Sequence, residues 1–280
     1  MASINPTGKI LGASVTDVDL SRPLDPATVD AIRNALGRYG ILYFPEQDFG
    51  PAAQRDFVAN FGAVQRSDEW NLPEAPEVTV LSNIEVNGQK TGYVDAGMSW
   101  HKDMTYLKKP GFTTVLYAVK VPRRDGRSLG ETHFINTRAA YEDLPQDIKD
   151  KLEGAIGFNS AEYYNHYIRK AGGTRKAYDE TKKAKRPPVQ HPVVMVHPVT
   201  GDKVLYCDPG HVERIDGLPD GESEEMVRFL AQHQLQSKYE YVFEWTERDV
   251  LMWDNIGTLH RATLNYGPDE HRLMHRCMAA

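Results

Sequence analysis

From residue 193 onward the chain is built of short β-rich runs closed by turns, and that rhythm limits the folds open to it. "VVMVHPVTGDKVLY" (193–206) sets two runs of β-formers around the turn HPVTGDK, which predicts a hairpin. "YEYVFEW", "DVLMWD" and "LMHRCMA" read as further short strands, and "ILYF" (41–44), "VTVLSN" (78–83) and "TTVLYAVKVP" (113–122) precede them. Helical periodicity gathers mainly on the N-terminal side. "ATVDAIRNALGRYG" places Val29, Ile32, Leu36 and Tyr39 on one face and stops at Gly40. "GPAAQRDFVANFG" (50–62) has proline near its start and glycine at its end. Short helices are expected at "NTRAAYEDLP" and "QDIKDKLEG", and an amphipathic one at "ESEEMVRFLAQHQLQ". The regular strand-helix-strand beat of a doubly wound parallel sheet is missing. The pattern predicts a mainly β chain with flanking helices, in the form of a barrel or jelly roll.

The 280 residues show no internal repeat, and we read one domain, 1–280. A net charge of -6 gives no reason to expect nucleic acid or an anionic membrane as partner. No apolar run approaches the ~20 residues of a membrane span, and the N-terminal stretch lacks the layout of a signal peptide. Cys207 and Cys277 have no paired spacing, so reduced thiols and a cytoplasmic location are expected. One segment stands apart. Residues 162–188 are rich in Lys, Arg and Tyr, which predicts a solvated, mobile surface loop for most of the charges and, over about 158–190, a lid above a cleft.

The chemistry begins at "SWHKDMTY" (99–106). On an extended segment residues i and i+2 point to the same side, so His101 and Asp103 can reach one ion. Lys102 between them then points away, which places it at the mouth of a site or in solvent. The pair needs a third ligand, and "VLMWDNIGTLHRATLNYGPDEHRLMHRCMA" offers His260, His271 and His275. Any of these would complete a two-histidine, one-carboxylate set, which binds one face of Fe(II) and leaves positions open. His133, His166, His191, His197, His211 and His233 have no partner at ligand spacing and are expected to be structural or exposed. Trp100 and Trp253 read first as packing and second as pocket walls.

In four blocks taken in order the sequence resembles the iron- and 2-oxoglutarate-dependent dioxygenases of the taurine and 2,4-dichlorophenoxyacetate type. "GASVTDVDLSRPL" with "YGILYFPEQDF", "WHKDMTY", "LGETHFINTRAAYEDLP", and "WDNIGTLHRA" with "RLMHR" carry the likeness. It implies a double-stranded β-helix of cupin-like, jelly-roll form, Fe(II), 2-oxoglutarate as co-substrate and dioxygen. His101, Asp103 and His260 match the iron ligands. Arg272 and Thr132 match the residues that hold the distal carboxylate of 2-oxoglutarate, and a guanidinium fork suits that task. The implied reaction hydroxylates a C–H bond and releases succinate and CO2. With Asp103 present, halogenation is not expected. A zinc-dependent hydrolase on the same three ligands, or a metal-free binding barrel, stay as the alternatives.

For the substrate, Arg276 lies four residues after Arg272, and on a strand that spacing turns both side chains to one cavity. In taurine-specific relatives the matching arginine grips the sulfonate, with a histidine, a tyrosine and an asparagine around it. Ser67, Trp70 and Gly97 stand at those three positions here, so the taurine pattern is broken. A more apolar, aromatic pocket favours a small anionic organic substrate of aryloxy- or arylalkanoate type ahead of a sulfonate, with Tyr163, Tyr164 and Tyr167 above it. A homo-oligomer is expected from the relatives.

Overall fold

The computed structural model describes residues 2–67, 69–219 and 221–280. Its centre is two facing antiparallel sheets. In the larger one, the strand β1 (Ile41–Phe44) and the strands β2 (Ala75–Ser82) and β3 (Thr113–Lys120) are joined by two from the far end of the chain. The smaller sheet contains β4 (Thr132–Asn136), β5 (Glu240–Phe243) and a third strand. The centre of these two sheets is completed by β6 (Val250–Asp254), β7 (Thr258–Ala262) and β8 (Leu273–Ala279), and the large sheet extends outward to nine strands. The central order of the large sheet is β1-β6-β3-β8-β2, and that of the small sheet is β5-β4-β7. Register sets Met252 opposite both Leu42 and Val115, and Cys277 opposite Val115. In the small sheet Phe134 faces His260 and Tyr241.

Strand alternation divides the apolar residues between two cores. Val115, Met252 and Cys277 point outward, onto helices α1 (Pro26–Tyr39) and α2 (Pro51–Ala59), where Ile32, Leu36, Phe57 and Val58 cover them. Leu116, Leu251, Trp253 and Met274, on the opposite face, meet Phe134, Tyr241, Phe243 and Trp245 of the small sheet and its extension. α1 is capped by Asp25, which accepts from the Thr28 backbone, and ends at Gly40 with φ 70°, a left-handed conformation suited to glycine. The architecture is the expected mainly β double-stranded β-helix with flanking helices.

One expectation needs correcting. The 162–188 segment is not a loop throughout. A helix, Ala161–Lys170, buries Tyr164, Asn165 and Ile168, and a shorter one spans Glu180–Lys185 with all its residues outward. The inward face of the first helix uses a tyrosine and an asparagine as well as an aliphatic residue, so an aliphatic periodicity test passes over it.

Candidate metal centre and co-substrate cleft

The segments bearing the candidate ligands are stitched together by their backbones. His101 N donates to His260 O at 3.0 Å and His260 N donates to His101 O at 2.9 Å, an isolated antiparallel bridge that docks the 99–106 segment onto β7. His101, Asp103 and His260 are all buried, and one ligand atom from each lies within 4.8 Å of the others. Neither His271 nor His275 belongs to this group.

Neighbouring groups fix two of these side chains, His101 and Asp103, while His260 Nδ1 is buried without a hydrogen-bond partner. His101 Nδ1 lies 2.8 Å from Ser99 O, which accepts its proton, so Nε2 presents a lone pair inward. Thr114 Oγ1 donates to Asp103 Oδ2 at 2.7 Å, and Asn255 Nδ2 donates to Thr114 Oγ1 at 3.0 Å. His101 Nε2 then faces Asp103 Oδ1 at 3.5 Å, and His260 Nε2 faces Asp103 Oδ2 at 3.7 Å. A lone pair aimed at a carboxylate oxygen is satisfied by a cation between them. Donors about 2.1 Å from one ion and at right angles to each other would stand about 3 Å apart, close to the separations seen. The electrostatics agree. Burial pushes the His260 imidazole down to about 3, so it is neutral and able to ligate. Burial acts to raise Asp103, yet it stays below the usual carboxylate range, with the His260 and His101 imidazoles and the Arg276 guanidinium facing it.

Beside the three ligands a cleft of about 380 Å³, counting its open mouth, is lined in part by Thr132, Trp253, Arg272, Arg276 and Gly97. Arg272 is 4% exposed, its Nε is buried without a hydrogen-bond partner, and it makes no ion pair among the described residues. Burial lowers its pKa, while the Tyr266 hydroxyl beside it supports the charge. A buried guanidinium with no carboxylate of its own suits an incoming dianion. Thr132 Oγ1 accepts from Trp245 Nε1 at 3.0 Å, which leaves its own proton for a second acceptor. Gly130 has φ 76°, and a Cβ there would meet Arg272 Nε at 3.2 Å, so glycine is what lets the arginine lie against this turn.

The substrate candidates separate. Arg276 and Gly97 line the cleft, and a Cβ on Gly97 would stand 3.5 Å from that of Ala262 and 3.9 Å from His101 Cε1. Ser67 and Trp70 are not among its lining residues. They meet at Tyr93, with Ser67 Oγ 3.4 Å from the tyrosine hydroxyl and the Trp70 ring 6.4 Å from its ring. Trp253 is a wall of the cleft and packs 4.8 Å from the His260 ring, while Trp100 takes the Arg261 guanidinium over its face at 4.9 Å.

Two features were not foreseen. Tyr164 of the Ala161–Lys170 helix stacks on His101 at 5.1 Å and on His211 at 4.3 Å, and His211 is backed by the buried Asp208 at 3.2 Å. The stack joins positions 63 and 47 residues apart along the chain (164 − 101 and 211 − 164), and only the Asp208–His211 pair is local. Lys102 does point away from the ligands, but it is neither at the mouth nor in solvent. It is fully buried, and its Nζ donates to Ile256 O at 2.8 Å, Thr258 O at 3.1 Å and Thr137 Oγ1 at 3.2 Å. Burial pulls its pKa down to about 8 against the opposing pull of Asp254 and Asp208.

A β-helix with a two-histidine, one-carboxylate set at its open end defines a class, the non-haem iron dioxygenases. Comparison with known proteins carries this further. The profile of the taurine catabolism dioxygenase TauD, TfdA family matches residues 3–278, and the chain belongs to that family. It is 31% identical over 282 residues to an alkylsulfatase of Acinetobacter baylyi, covering 98% of this chain and 83% of the relative. It is 30% identical over 273 residues to an alpha-ketoglutarate-dependent 2,4-dichlorophenoxyacetate dioxygenase of Cupriavidus pinatubonensis, covering 92% and 90%. The crystal structure of AAD-2 in complex with Mn(II) and N-oxalylglycine superposes with a TM-score of 0.83 at 28% identity, covering 100% of this chain and 97% of that one. The protein is a 2-oxoglutarate-dependent dioxygenase, an oxidoreductase using Fe(II), 2-oxoglutarate and dioxygen. That membership sets aside the zinc hydrolase and the binding-only barrel.

Proposed function

We propose that His101, Asp103 and His260 hold the iron, that Arg272 and Thr132 hold 2-oxoglutarate, and that Arg276 receives the anionic group of a small organic acid. The observation that carries this reading is the pairing of three buried ligand atoms within 4.8 Å with a buried, carboxylate-free arginine in one cleft. When bound, the iron supplies the redox chemistry that couples decarboxylation of 2-oxoglutarate by dioxygen to hydroxylation of a C–H bond. One substrate, one 2-oxoglutarate and one dioxygen yield the alcohol, succinate and CO2. The protein's share is placement. Thr114 and Ser99 keep Asp103 and His101 turned to the metal. Arg272 and Thr132 orient the co-substrate's far end, and Arg276 sets the substrate's depth.

Arg276 makes no hydrogen bond or ion pair among the described residues, although Asp103 lies within its electrostatic reach. It is therefore free to pair with a carboxylate. The walls of the cleft beside Arg276 are apolar and aromatic, with Leu81, Leu116, Trp253 and Ala262 next to the bare Gly97, so we favour an aryloxy- or arylalkanoate over a sulfonate such as taurine. The 2,4-dichlorophenoxyacetate named for one relative is of that kind. Residues of about 158–190 act as a lid within a single domain, with Thr174 and Arg175 latched to Asp95 at 2.9 and 3.6 Å. No helix among the described residues is long and apolar enough to cross a membrane. We place the enzyme in the cytoplasm, where the free, buried Cys207 and Cys277 stay reduced, and as a homo-oligomer.

The test is spectroscopic and then chemical. Anaerobic Fe(II) with 2-oxoglutarate should give a weak visible charge-transfer band. A screen of aryloxy acids, arylalkanoates, alkyl sulfates and sulfonates for succinate release should find its best substrates among the first two. A screen in which only uncharged compounds couple to succinate formation would refute the anionic reading.

A further inference from the structure

Lys102 sits between two metal ligands in sequence, yet its ammonium lies on the opposite side of them, in the protein interior. Burying an ammonium costs several kcal/mol unless its donors and its charge are met. Here both are met. The three protons of Nζ have three acceptors, Ile256 O, Thr258 O and Thr137 Oγ1. Asp254 and Asp208 are the carboxylates facing it, and the Tyr206 ring lies 5.5 Å below. No donor is left over for a substrate, and none points to solvent.

The acceptors are what give the arrangement meaning. Ile256, in the turn between β6 and β7, and Thr258, at the start of β7, lie four and two residues before His260. The same turn is held from its other side by Asp254, whose carboxylate accepts from Ile256 N at 2.9 Å and Gly257 N at 2.8 Å. Thr137 joins the set through its own backbone, donating to Gly257 O at 3.0 Å. One side chain thus ties the segment bearing His101 and Asp103 to the turn that launches the strand bearing His260. The backbone bridge between His101 and His260 holds the two segments edge to edge, and Lys102 adds a second attachment on the far side.

We propose that Lys102 is a positioning residue that sets the spacing between the His101–Asp103 pair and His260 and so tunes metal affinity. This rests on the assignment of those three residues as the iron ligands. Electrostatics alone gives the opposite sign. A lysine is a like charge to a metal dication, so its removal would tighten metal binding if charge were its only influence. A role in spacing predicts weaker binding instead.

The experiment compares wild type with Lys102→Met, which keeps the aliphatic stem and removes the ammonium. Mn(II) affinity is measured on metal-free protein by electron paramagnetic resonance of the free ion, and the metal-free fold is followed by circular dichroism and its thermal midpoint. Loss of a group hydrogen-bonded directly to a metal ligand typically costs 10–100-fold in metal affinity; Lys102 acts one step further out, so a fall at the low end of that range, about 10-fold, is expected in Mn(II) binding. Thr137→Ala, which removes one of the three acceptors, should weaken binding less and in the same direction. Equal or tighter Mn(II) binding by folded Lys102→Met would overturn the proposal, even with a lowered midpoint, because a purely structural strut changes stability alone. If Lys102→Met does not fold, unchanged Mn(II) affinity in Thr137→Ala overturns it. Failure of wild type itself to bind Mn(II) would instead strike the ligand assignment.

Discussion

His101 and His260 exchange both of their backbone hydrogen bonds, at 3.0 and 2.9 Å, although 159 positions separate them (260 − 101). The two imidazoles are therefore held together by main chain, with ring centroids 4.2 Å apart, and the side chains are free for chemistry. Removing one imidazole leaves the bridge intact. His260→Ala should lose Fe(II) binding and all turnover while keeping a cooperative melt, since the cavity left beside Trp253 and Phe134 costs about 2–4 kcal/mol at most. Metal content and calorimetry on the same sample check this. Residual turnover in His260→Ala would shift attention to His271 or His275.

The co-substrate assignment separates by magnitude. Arg272→Ala removes a buried, charge-assisted partner and should cost about 2–5 kcal/mol in 2-oxoglutarate binding. Thr132→Val removes one neutral donor and should cost roughly 1 kcal/mol. It also strips the Trp245 Nε1 of its acceptor, so a small loss of stability accompanies it. KM for 2-oxoglutarate, measured at saturating substrate and iron, gives both numbers. An unchanged value in Arg272→Ala would point to Arg276, because Arg261 is engaged on the Trp100 ring.

Acid should destabilise the metal-free protein. Burial lowers His260 from 6.5 to about 3 in the folded state. Between those values the unfolded chain takes up a proton that the folded chain refuses. The stability is fully present above about pH 6.5 and is lost as pH falls toward 3, at about 1.4 kcal/mol per pH unit for this single group. His191 and His275 are lowered by burial as well and add to the same trend. Urea melts at about pH 7, 6 and 5 should show a shallower decline in His260→Gln than in wild type. Parallel declines would mean that His260 is not the buried neutral group.

Much of this was legible in the sequence because it is written locally. The alternation of "DVLMWD" places Leu251 and Trp253 on one face and Met252 on the other, as the two cores require. The i, i+2 spacing of His101 and Asp103 is likewise a local fact, and block order distinguished His260 from its two neighbours. What escaped depends on tertiary contact. Alternation says that Lys102 points away from the ligands but not that a turn more than 150 residues on supplies two carbonyls there. Tyr164 reaches His101 and His211 only once the sheets have closed. Ser67 and Trp70 lie in a loop whose alignment to relatives fixes no side-chain direction, and they turn toward Tyr93.

The substrate prediction turns on Arg276. It lies on β8 opposite Thr79 and Leu116, and it shares the cleft with Arg272, His101 and Asp103. With Arg272 given to 2-oxoglutarate, Arg276 is the remaining cation of that wall. An acid docked there places its carbon body toward Gly97 and Ala262, where the absence of a side chain on Gly97 leaves room beside His101. Arg276→Ala should therefore raise KM for the best carboxylate substrate by about 2–5 kcal/mol, the cost of unpairing a desolvated anion, with KM for 2-oxoglutarate little changed. Gly97→Ala should act through shape, because its φ of 77° strains any side chain and the added methyl reaches toward the His101 ring. Its effect should be larger for ring-bearing acids than for short-chain ones. Aryloxy acid turnover would release a phenol as the hydroxylated carbon collapses, and that phenol can be followed by colour. If Arg276→Ala leaves KM for the acid where it was, the anionic end of the substrate is held elsewhere.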